Sequence, residues 1–331
     1  MTLLDSFGRT IRYLRVSVTD RCNLRCDYCR LVEEPMVSNQ QLLSLEEIAR
    51  LGRLFVELGV DRIRLTGGEP LLRRNVVTLV QELGNLSGLG ELSLTTNGVL
   101  LARLARPLRE AGLHRVNISL DTLTPEIFAT LTRGGTLTPV LEGIQEAQSA
   151  GLHPVKINMV VMRGINDHEI SPMITFAVQH GLILRFIETM PVGPAGQMIA
   201  ERFVSSEEIL ARIRQDFGGD LDPVHHAKQP GSGPARYFRV QGTETEVGVI
   251  SARSRHFCDT CNRMRLTSKG ALVLCLGATD RVDLLTPMRA GATDAQMKER
   301  IQAAVNLKPS RHHFDEDRDL QKTFPMSALG G

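Results

Sequence analysis

The chain of 331 residues contains no tryptophan and only three tyrosines, and aromatic residues make up 4% of it. Such scarcity argues against base stacking on an aromatic surface as its main binding mode. No apolar run approaches the roughly 18 residues that a membrane-spanning helix needs. The N-terminal segment lacks the basic flank and apolar core of a signal peptide. These absences predict a cytoplasmic protein without a membrane or nucleic-acid partner.

A large excess of charge is also missing. The 39 Lys and Arg residues nearly balance the 37 Asp and Glu residues, which gives a net charge of +2. This balance is too even to predict binding to a nucleic-acid backbone. Any anionic substrate must therefore be held by a local group of basic residues. The length and the hydrophobic content of 42% allow one large domain or two smaller ones.

Cysteine is absent from the long interval between Cys29 and Cys258. All six cysteines form two triplets, Cys22-x3-Cys26-x2-Cys29 and Cys258-x2-Cys261-x13-Cys275. Structural zinc sites and ordinary iron–sulfur clusters use four protein ligands, so a cluster with three cysteines leaves one iron open to another ligand. Clustered cysteines in a chain without an export signal indicate cofactor ligands rather than disulfides.

Short apolar runs alternate with amphipathic helical patterns through the first two thirds of the chain. The predicted strands are Leu14–Thr19, Ile63–Thr66, Leu92–Thr95, Val116–Leu120, Val155–Val161 and Leu184–Ile187. The predicted helices cover residues 44–58, 74–83, 101–111, 139–150 and 168–180. Six βα units in series predict a parallel α/β sheet with helices outside, either doubly wound or rolled into a barrel. Active sites of both folds lie at the carboxyl ends of the strands, and the first cysteine triplet follows the first strand.

A segment rich in glycine and proline, Pro191–Gly196, marks a predicted domain boundary. We predict one domain over residues 5–195 and a C-terminal extension over residues 196–331. The extension is predicted to hold a helix near 205–216 and a last helix near 293–305, followed by a polar tail. Its predicted strands are Tyr237–Gln241, Val247–Ile250 and Met264–Thr267.

Basic residues lie on several predicted strands, where an unpaired buried charge is costly. They are Arg15, Arg64 and Lys156, with Arg263 and Arg265 beside the second triplet. Any one of them could form an ordinary salt bridge. Five together favour a bound polyanion, to which arginine offers bidentate contacts.

The first triplet and the segment Gly67-Gly68-Glu69-Pro70 after the second strand resemble the motifs of the radical S-adenosylmethionine (SAM) enzymes. The resemblance implies a partial (β/α)6 TIM-like barrel. It also implies a [4Fe–4S] cluster on Cys22, Cys26 and Cys29, with SAM at the open iron. The residues that match SAM-binding positions of the family are Tyr28, Gly68, Glu69, Ser119 and Met190.

The second triplet, with Asn262-Arg263-Met264-Arg265 inside it, is similar to the C-terminal motif of the GTP 3′,8-cyclase family of molybdenum cofactor biosynthesis. The resemblance implies an α+β extension with a second [4Fe–4S] cluster on Cys258, Cys261 and Cys275, whose open iron contacts guanine. The implied GTP-binding residues are Arg15, Arg64, Thr95, Lys156, Arg263, Met264 and Arg265. Further positions implied near the reaction are Arg185 and, more weakly, Arg62. The tail residues Gly330 and Gly331 match a double-glycine terminus that inserts toward the active site.

The activity implied is a carbon–carbon lyase reaction. GTP becomes (8S)-3′,8-cyclo-7,8-dihydroguanosine 5′-triphosphate, with 5′-deoxyadenosine and methionine as co-products, in the first step of molybdenum cofactor biosynthesis. Implied partners are a flavodoxin- or ferredoxin-like one-electron reductant and a downstream cyclic pyranopterin monophosphate synthase. The oligomeric state is expected to be a monomer or a homodimer.

Three alternatives stay open at this point. Taken alone, each triplet could belong to a zinc site, with His256 completing the second one. Another radical SAM enzyme with an auxiliary cluster, such as a peptide-modifying maturase, is the nearest rival. A two-cluster electron carrier is the third, although it would need neither the Gly67–Pro70 loop nor interior cations.

Overall fold

The computed structural model describes residues 2–29, 39–218, 221–224, 233–312, 314 and 325–330. None of the helices formed by these residues combines the length and apolar character needed to cross a membrane.

The first six strands are parallel and lie side by side in chain order. They are β1 (Tyr13–Ser17), β2 (Arg62–Thr66), β3 (Glu91–Thr96), β4 (Arg115–Ser119), β5 (Lys156–Val161) and β6 (Ile183–Glu188). All six predicted strands are confirmed to within two residues at each end. Their apolar residues are almost completely buried against the helices, as expected for a parallel sheet that is covered by crossover helices.

Six helices connect these strands. They are α1 (Leu45–Glu57), α2 (Val76–Gly84), α3 (Leu101–Glu110), α4 (Pro125–Thr132), α5 (Thr138–Ser149) and α6 (Ile170–Gln179). The Ser44 side chain accepts a hydrogen bond from Glu47 N, while the Glu47 carboxylate accepts one from Ser44 N, so α1 begins with a capping box. The sequence analysis misses α4, a helix of eight residues with Pro125 in its first turn.

The C-terminal part adds short strands and helices. They are α7 (Gly193–Met198), α8 (Ser206–Phe217), β7 (Asp222–Val224), β8 (Arg236–Arg239), β9 (Glu246–Ile250), β10 (Arg263–Leu266), β11 (Ala271–Val273), β12 (Arg281–Asp283), α9 (Leu285–Arg289), α10 (Asp294–Asn306) and α11 (Met326–Leu329). The three predicted strands and two predicted helices of this part are confirmed as β8, β9, β10, α8 and α10. The sequence analysis misses β7, β11 and β12, which have three residues each.

Strands of the C-terminal part join both edges of the six-stranded sheet. The order is β12-β11-β10-β1-β2-β3-β4-β5-β6-β9-β8-β7. Strand β10 pairs in parallel with β1, and β9 pairs in parallel with β6. The predicted partial (β/α)6 barrel with a C-terminal α+β extension is confirmed, and the extension shares the sheet of the barrel. The division at residue 195 stays a prediction.

The two faces of β1 differ in character. Leu14 and Val16 are buried in the core that the helices cover, whereas Tyr13 and Arg15 alternate with them and line an interior cavity. This alternation is the ordinary two-residue period of a strand. The side chains at every second position therefore point into the barrel, where the candidate site lies.

Candidate active site

The first cysteine loop lies against the loop that follows β2. Gly68 N donates to the carbonyl oxygen of Thr19 (2.8 Å), and Glu69 N donates to that of Arg21 (2.7 Å). A Cβ atom at Gly67 would lie 2.4 Å from the Thr19 oxygen, and one at Gly68 would lie 2.4 Å from the Arg21 oxygen. The two glycines are therefore needed for this close backbone contact, which fixes one loop on the other.

The Glu69 side chain is fully buried in the same region. Its carboxylate oxygens accept hydrogen bonds from Leu71 N (3.0 Å), Thr96 Oγ1 (2.8 Å) and Asn97 N (2.7 Å). Burial raises the pKa of this carboxyl to about 7. Asn97 in turn donates to Asn23 Oδ1 (2.8 Å) and approaches Cys22 Sγ at 3.7 Å. Glu69 thus supports the cysteine loop from within the protein, and its contact with SAM stays a prediction.

A large interior cavity brings together residues that are distant in the sequence. Three predicted SAM-binding residues line it, namely Tyr28, Ser119 and Met190. All three cysteines of the second triplet also line it, as do the basic residues Arg15, Arg62, Arg64, Lys156, Arg185, Arg263 and Arg265. Met264 is a further lining residue. Gly68, Glu69, Thr95, Gly330 and the first triplet are not part of the lining. Thr95 accepts a hydrogen bond from Asn117 (3.4 Å), and Asn117 in turn accepts one from the lining residue Arg185 (2.8 Å).

Tyr28, in the first cysteine loop, is anchored to the loop that follows β4. Its hydroxyl donates a hydrogen bond of 2.5 Å to Asp121 Oδ2, and Asp121 Oδ1 accepts one from Val160 N (2.8 Å). Burial raises the pKa of Asp121 to about 6. Burial and the neighbouring Asp121 carboxylate also raise the pKa of Tyr28 well above its ordinary value. The phenol of Tyr28 therefore stays protonated, and its hydrogen bond to Asp121 fixes this part of the cysteine loop.

Three arginines form a row across neighbouring strands. Arg265 on β10 lies opposite Arg15 on β1, and Arg15 lies opposite Arg64 on β2. Burial lowers the pKa of each guanidinium, and most strongly those of Arg64 and Arg265. Like charges on directly opposed residues destabilise a sheet. This row is therefore suited to a ligand that carries several negative charges.

Another wall of the cavity carries Arg115 on β4, Lys156 on β5 and Arg185 on β6. Burial and then the nearby Arg185 guanidinium lower the pKa of Lys156 to about 7. The Lys156 ammonium donates a long hydrogen bond of 3.4 Å to the hydroxyl of Tyr237. Burial also lowers the pKa of Arg185. The free site is thus positive but poorly solvated, a combination that an anionic ligand relieves.

Acidic groups along the cavity are already occupied by protein donors. Among the residues that the structure describes, those lining the cavity are Glu91, Asp121 and Glu188. Glu91 pairs with Arg115 at 2.6 Å. Glu188 accepts hydrogen bonds from Ser206 N (2.8 Å), Arg253 N (2.8 Å) and Ser254 N (3.0 Å). These three acidic residues therefore leave most of the positive charge of the cavity available to a ligand.

Several buried polar atoms around the cavity make no hydrogen bond within the described part of the chain. They are Tyr13 OH, Arg15 Nε, Asn158 Oδ1, Arg185 Nε and Thr189 Oγ1. Buried polar groups in folded proteins nearly always have a partner. These atoms therefore indicate a polar ligand that supplies both acceptors and donors.

The second triplet lies where the extension meets the N-terminus. The guanidinium of Arg9 donates to the carbonyl oxygens of Cys258 (2.9 Å) and Ser310 (2.8 Å), and it also pairs with Asp5 (2.6 Å). Although burial raises the pKa of the Cys261 thiol, the Arg263 guanidinium and the Lys308 ammonium bring it down to about 7. Arg263 lies 4.0 Å from the Cys261 sulfur. A thiolate at Cys261, the form that binds iron, is therefore favoured.

Within the described residues, no group of three or more His, Cys, Asp and Glu side chains is placed to hold a single metal ion. A four-iron cluster makes a different demand, because each cysteine binds a separate iron. The donor sets suit such clusters, with three thiols on the loop after β1 and three at the cavity wall. His256 is exposed, and its ring packs edge-on against His312 with centroids 5.7 Å apart.

The C-terminal segment reaches the arginine row. Nη1 of Arg265 donates to the carbonyl oxygens of Leu329 (3.1 Å) and Gly330. Gly330 has a φ of +71°, and a Cβ atom there would lie 2.1 Å from Thr66 Cγ2. Glycine is therefore required at this position. Gly331 lies outside the described residues.

The sequence analysis misses Tyr13, Arg115 and Asn117 as site residues. All three lie on strands whose neighbouring positions it does assign, namely Arg15 on β1 and Ser119 on β4. Strand residues two positions apart share a face. Counting back from those assigned residues identifies the three that it misses.

A cysteine loop after the first strand of a partial barrel defines the fold of a radical SAM enzyme. The model of the radical SAM superfamily matches residues 16–177, and a model described as Molybdenum Cofactor Synthesis C matches residues 182–314. Streptococcus suis SuiB bound to S-adenosylmethionine has a TM-score of 0.63 to this chain, over 96% of this chain and 73% of SuiB. Its sequence identity is 13%, so this likeness shows the fold alone.

Full-length relatives define the family more narrowly. The GTP 3′,8-cyclase of Hydrogenovibrio crunogenus is 45% identical over 100% of both chains. That of Ectopseudomonas mendocina is 47% identical over 99% of this chain and 98% of the relative. GTP 3′,8-cyclase 1 of Pseudomonas aeruginosa is 47% identical over 99% of both chains. The chain belongs to the GTP 3′,8-cyclase family.

Proposed function

We propose that this chain is a radical SAM enzyme that cyclises GTP. It converts GTP to (8S)-3′,8-cyclo-7,8-dihydroguanosine 5′-triphosphate, releases 5′-deoxyadenosine and methionine, and catalyses the first step of molybdenum cofactor biosynthesis. The reaction makes it a carbon–carbon lyase. The chain covers the full length of relatives that carry this name at 45–47% identity.

One structural observation carries the proposal. The second cysteine triplet, three predicted SAM-binding residues and two walls of basic side chains all line the same cavity. An electron carrier needs no such cavity. A zinc scaffold needs no excess of buried cations, because an unpaired buried cation only destabilises a fold. A triphosphate provides the negative charge that this cavity lacks.

The enzyme uses two [4Fe–4S] clusters and SAM. When bound, the first cluster and SAM supply the one-electron chemistry that removes an unactivated hydrogen from ribose. We assign the first cluster to Cys22, Cys26 and Cys29, and the second to the triplet that ends at Cys275. In both cases three cysteines would hold the cluster and leave one iron for another ligand, SAM at the first and guanine at the second.

The protein contributes position, charge and the exclusion of water. The Arg265–Arg15–Arg64 row and the wall of Lys156 and Arg185 bind the triphosphate through charge-assisted hydrogen bonds. Tyr28, anchored by Asp121, would pack against the adenine of SAM. The barrel interior keeps both substrates in one orientation and away from bulk water.

Partners follow from the same proposal. The enzyme receives electrons from a flavodoxin- or ferredoxin-like reductant and passes its product to a cyclic pyranopterin monophosphate synthase. Free thiols on two cofactor loops suit the reducing cytoplasm, which we propose as its location. We propose a monomer or a homodimer.

A peptide substrate is the main competing proposal, because SuiB also crystallised with its precursor peptide SuiA. The identity of 13% limits that likeness to the fold. The arginine row favours a small polyanion over a peptide.

The decisive experiment is anaerobic reconstitution followed by turnover. The purified chain is loaded with iron and sulfide, which should give roughly eight irons per chain, four for each cluster. It is then incubated with SAM, dithionite and GTP, and 5′-deoxyadenosine and the cyclised nucleotide are measured by liquid chromatography and mass spectrometry. Parallel reactions omit dithionite or replace GTP with guanosine. SAM cleavage without any GTP-dependent cyclised product would contradict the proposal.

A further inference from the structure

Asn117 is a polar residue that contacts two residues of the candidate site's lining, Arg115 and Arg185. It lies on β4 and is completely buried. In the sheet register it lies opposite Thr95 on β3 and Lys156 on β5. Both neighbours are predicted GTP-binding residues. Asn117 therefore lies next to two residues of the proposed triphosphate site, although the predicted role of its neighbours does not extend to it.

The amide of Asn117 links three side chains of this site. Oδ1 accepts hydrogen bonds from Arg185 Nη2 (2.8 Å) and Arg115 Nη1 (3.0 Å), and Nδ2 donates to Thr95 Oγ1 (3.4 Å). Guanidinium groups only donate, so the carbonyl oxygen must face them and the orientation of the amide is determined. Two donors use both lone pairs of that oxygen.

The two arginines that share this oxygen differ in their charge balance. Arg115 also pairs with Glu91 at 2.6 Å, which neutralises it. Arg185 is buried, and its Nε has no hydrogen-bond partner in the described residues. Its Nη2 is oriented by a neutral oxygen. Arg185 is thus held in place while its positive charge remains available in the cavity.

A carboxylate at position 117 would fit the same space with nearly the same shape. It would form ion pairs with Arg185 and Arg115 in a poorly solvated interior, where such pairs are strong. The free protein would become more stable, because buried cations would be neutralised. A polyanionic ligand would bind more weakly, because it would have to compete with an internal anion for the same guanidinium.

From these contacts we infer that Asn117 is a positioning residue for the triphosphate, which orients Arg185 and Thr95 through a neutral amide and so leaves the charge of the site to the ligand. The inference rests on the proposed function. It predicts that the effect of Asn117 grows with the number of phosphates on the nucleotide, because the guanidinium acts on phosphate charge.

The test uses the full chain with both clusters reconstituted, under anaerobic conditions. Titration calorimetry measures the Kd of GTP and of GMP for the wild type, Asn117→Asp and Asn306→Asp. Asn306 is exposed at the end of α10, so its variant adds the same charge at the surface. Thermal unfolding without nucleotide is measured in parallel.

For Asn117→Asp we expect the Kd of GTP to rise by about tenfold or more, which corresponds to the loss of one charge-assisted contact. The Kd of GMP should rise by less than about threefold. The unfolding temperature without nucleotide should rise or stay level, since the new carboxylate pairs with buried arginines. Asn306→Asp should match the wild type in both Kd values.

A purely structural role would give a different result. Equal weakening of GTP and GMP together with a lower unfolding temperature would overturn the inference, and so would an unchanged preference for GTP. If Asn117→Asp does not fold, Asn117→Ser decides. Its hydroxyl is too short to bridge both guanidiniums, so the preference for GTP over GMP should shrink without a gain in stability; a wild-type preference would overturn the inference.

The proposed function and the inference fail in different ways. If the wild-type chain cleaves SAM but binds neither GTP nor GMP, both the proposed function and the positioning role of Asn117 are contradicted. A wild-type chain that binds GTP, with an Asn117→Asp variant that binds it equally well, removes only the positioning role.

Discussion

Arg265 donates a hydrogen bond of 3.1 Å from its guanidinium to the carbonyl oxygen of Leu329. The C-terminal segment therefore contacts the buried arginine row directly. Arg265 lies opposite Arg15, and both are predicted to bind GTP. The position of the tail thus determines which guanidinium donors face the cavity and which face the protein's own backbone.

We expect Gly330→Ala to displace the tail. The new Cβ would lie 2.1 Å from Thr66 Cγ2, and the φ of +71° is unfavourable for alanine. The rate of GTP cyclisation should fall by about tenfold or more, which corresponds to the loss of one charge-assisted contact. SAM cleavage should continue. The ratio of cyclised nucleotide to 5′-deoxyadenosine measures this uncoupling. Gly8→Ala is the control, because Gly8 has a similar φ of +76° and open space around it; equal losses in the two variants would contradict the role of the tail.

The two cysteine triplets should separate into two phenotypes. Cys26→Ser removes a thiolate from the proposed SAM cluster and should abolish 5′-deoxyadenosine formation. Cys258→Ser changes the cavity wall instead and should impair GTP binding and cyclisation while SAM cleavage remains measurable. Iron content, 5′-deoxyadenosine and cyclised nucleotide are measured for both. Normal product formation by Cys258→Ser would contradict the role of the second cluster.

Lys156 should make GTP binding depend on pH. Its pKa of about 7 in the free site should rise when a triphosphate binds, so binding above pH 7 takes up a proton. The affinity should therefore fall by up to about tenfold per pH unit above 7. Calorimetry in buffers of different ionisation enthalpy detects the proton. Lys156→Met should bind GTP more weakly and lose this pH dependence. Lys298→Met should keep it, because Lys298 is a half-buried lysine of α10 that pairs with Glu57 and does not line the cavity. A pH dependence retained by Lys156→Met would assign the proton to another group.

The same lysine affects the stability of the free protein. Its folded pKa lies below its ordinary value of 10.5, so the unfolded chain binds more protons between about pH 7 and 10.5. The contribution of Lys156 to stability therefore increases as pH rises through this window. In Lys156→Met this part of the pH dependence should disappear from thermal unfolding curves.

Glu69 should contribute to stability with the opposite dependence on pH. Burial raises its pKa from 4.5 to about 7, so the folded chain binds more protons between these values. Its contribution to stability therefore decreases as pH rises from about 4.5 through 7. Unfolding temperatures across this range should fall in the wild type and fall less in Glu69→Gln.

Glu69→Gln should also weaken SAM binding. The carboxylate accepts from three donors, one of them Asn97 N, and an amide cannot accept from all of them. An unpaired buried donor costs about 1–3 kcal/mol and loosens the support of the cysteine loop. Glu110→Gln at the exposed end of α3 is the matched control. SAM affinity equal to the wild type in Glu69→Gln would show that this support is not needed.

Much of the barrel is predictable because each strand is a short apolar run and each helix carries a regular periodicity. The short elements are not, since α4 has eight residues and β11 and β12 have three each, too few for a pattern to emerge. The pairing of β10 with β1 joins residues that are far apart in the chain, such as Tyr13 and Arg263, and no local signal encodes it.

The candidate site also has features that the sequence predicts and others that it does not. Cysteine spacing and basic residues on strands indicate the clusters and the anion before any coordinates are known. The hydrogen-bond network of Asn117 could not be predicted, because a buried asparagine is recognised as a link only when its partners are known. Glu69 illustrates the converse, since its sequence motif indicates a ligand contact while its carboxylate is occupied by the protein itself.

The neighbouring position of β1 and β10 has a consequence for biosynthesis. Tyr13 on β1 pairs with Arg263 on β10. One edge of β1 therefore stays unpaired until the ribosome has synthesised most of the chain. Until then a nascent chain presents an unpaired parallel edge, the kind of surface that recruits other chains. Contacts this distant in sequence also slow folding. The first cysteine loop is therefore synthesised long before β10, and we expect cluster insertion to compete with aggregation at the open edge during that interval.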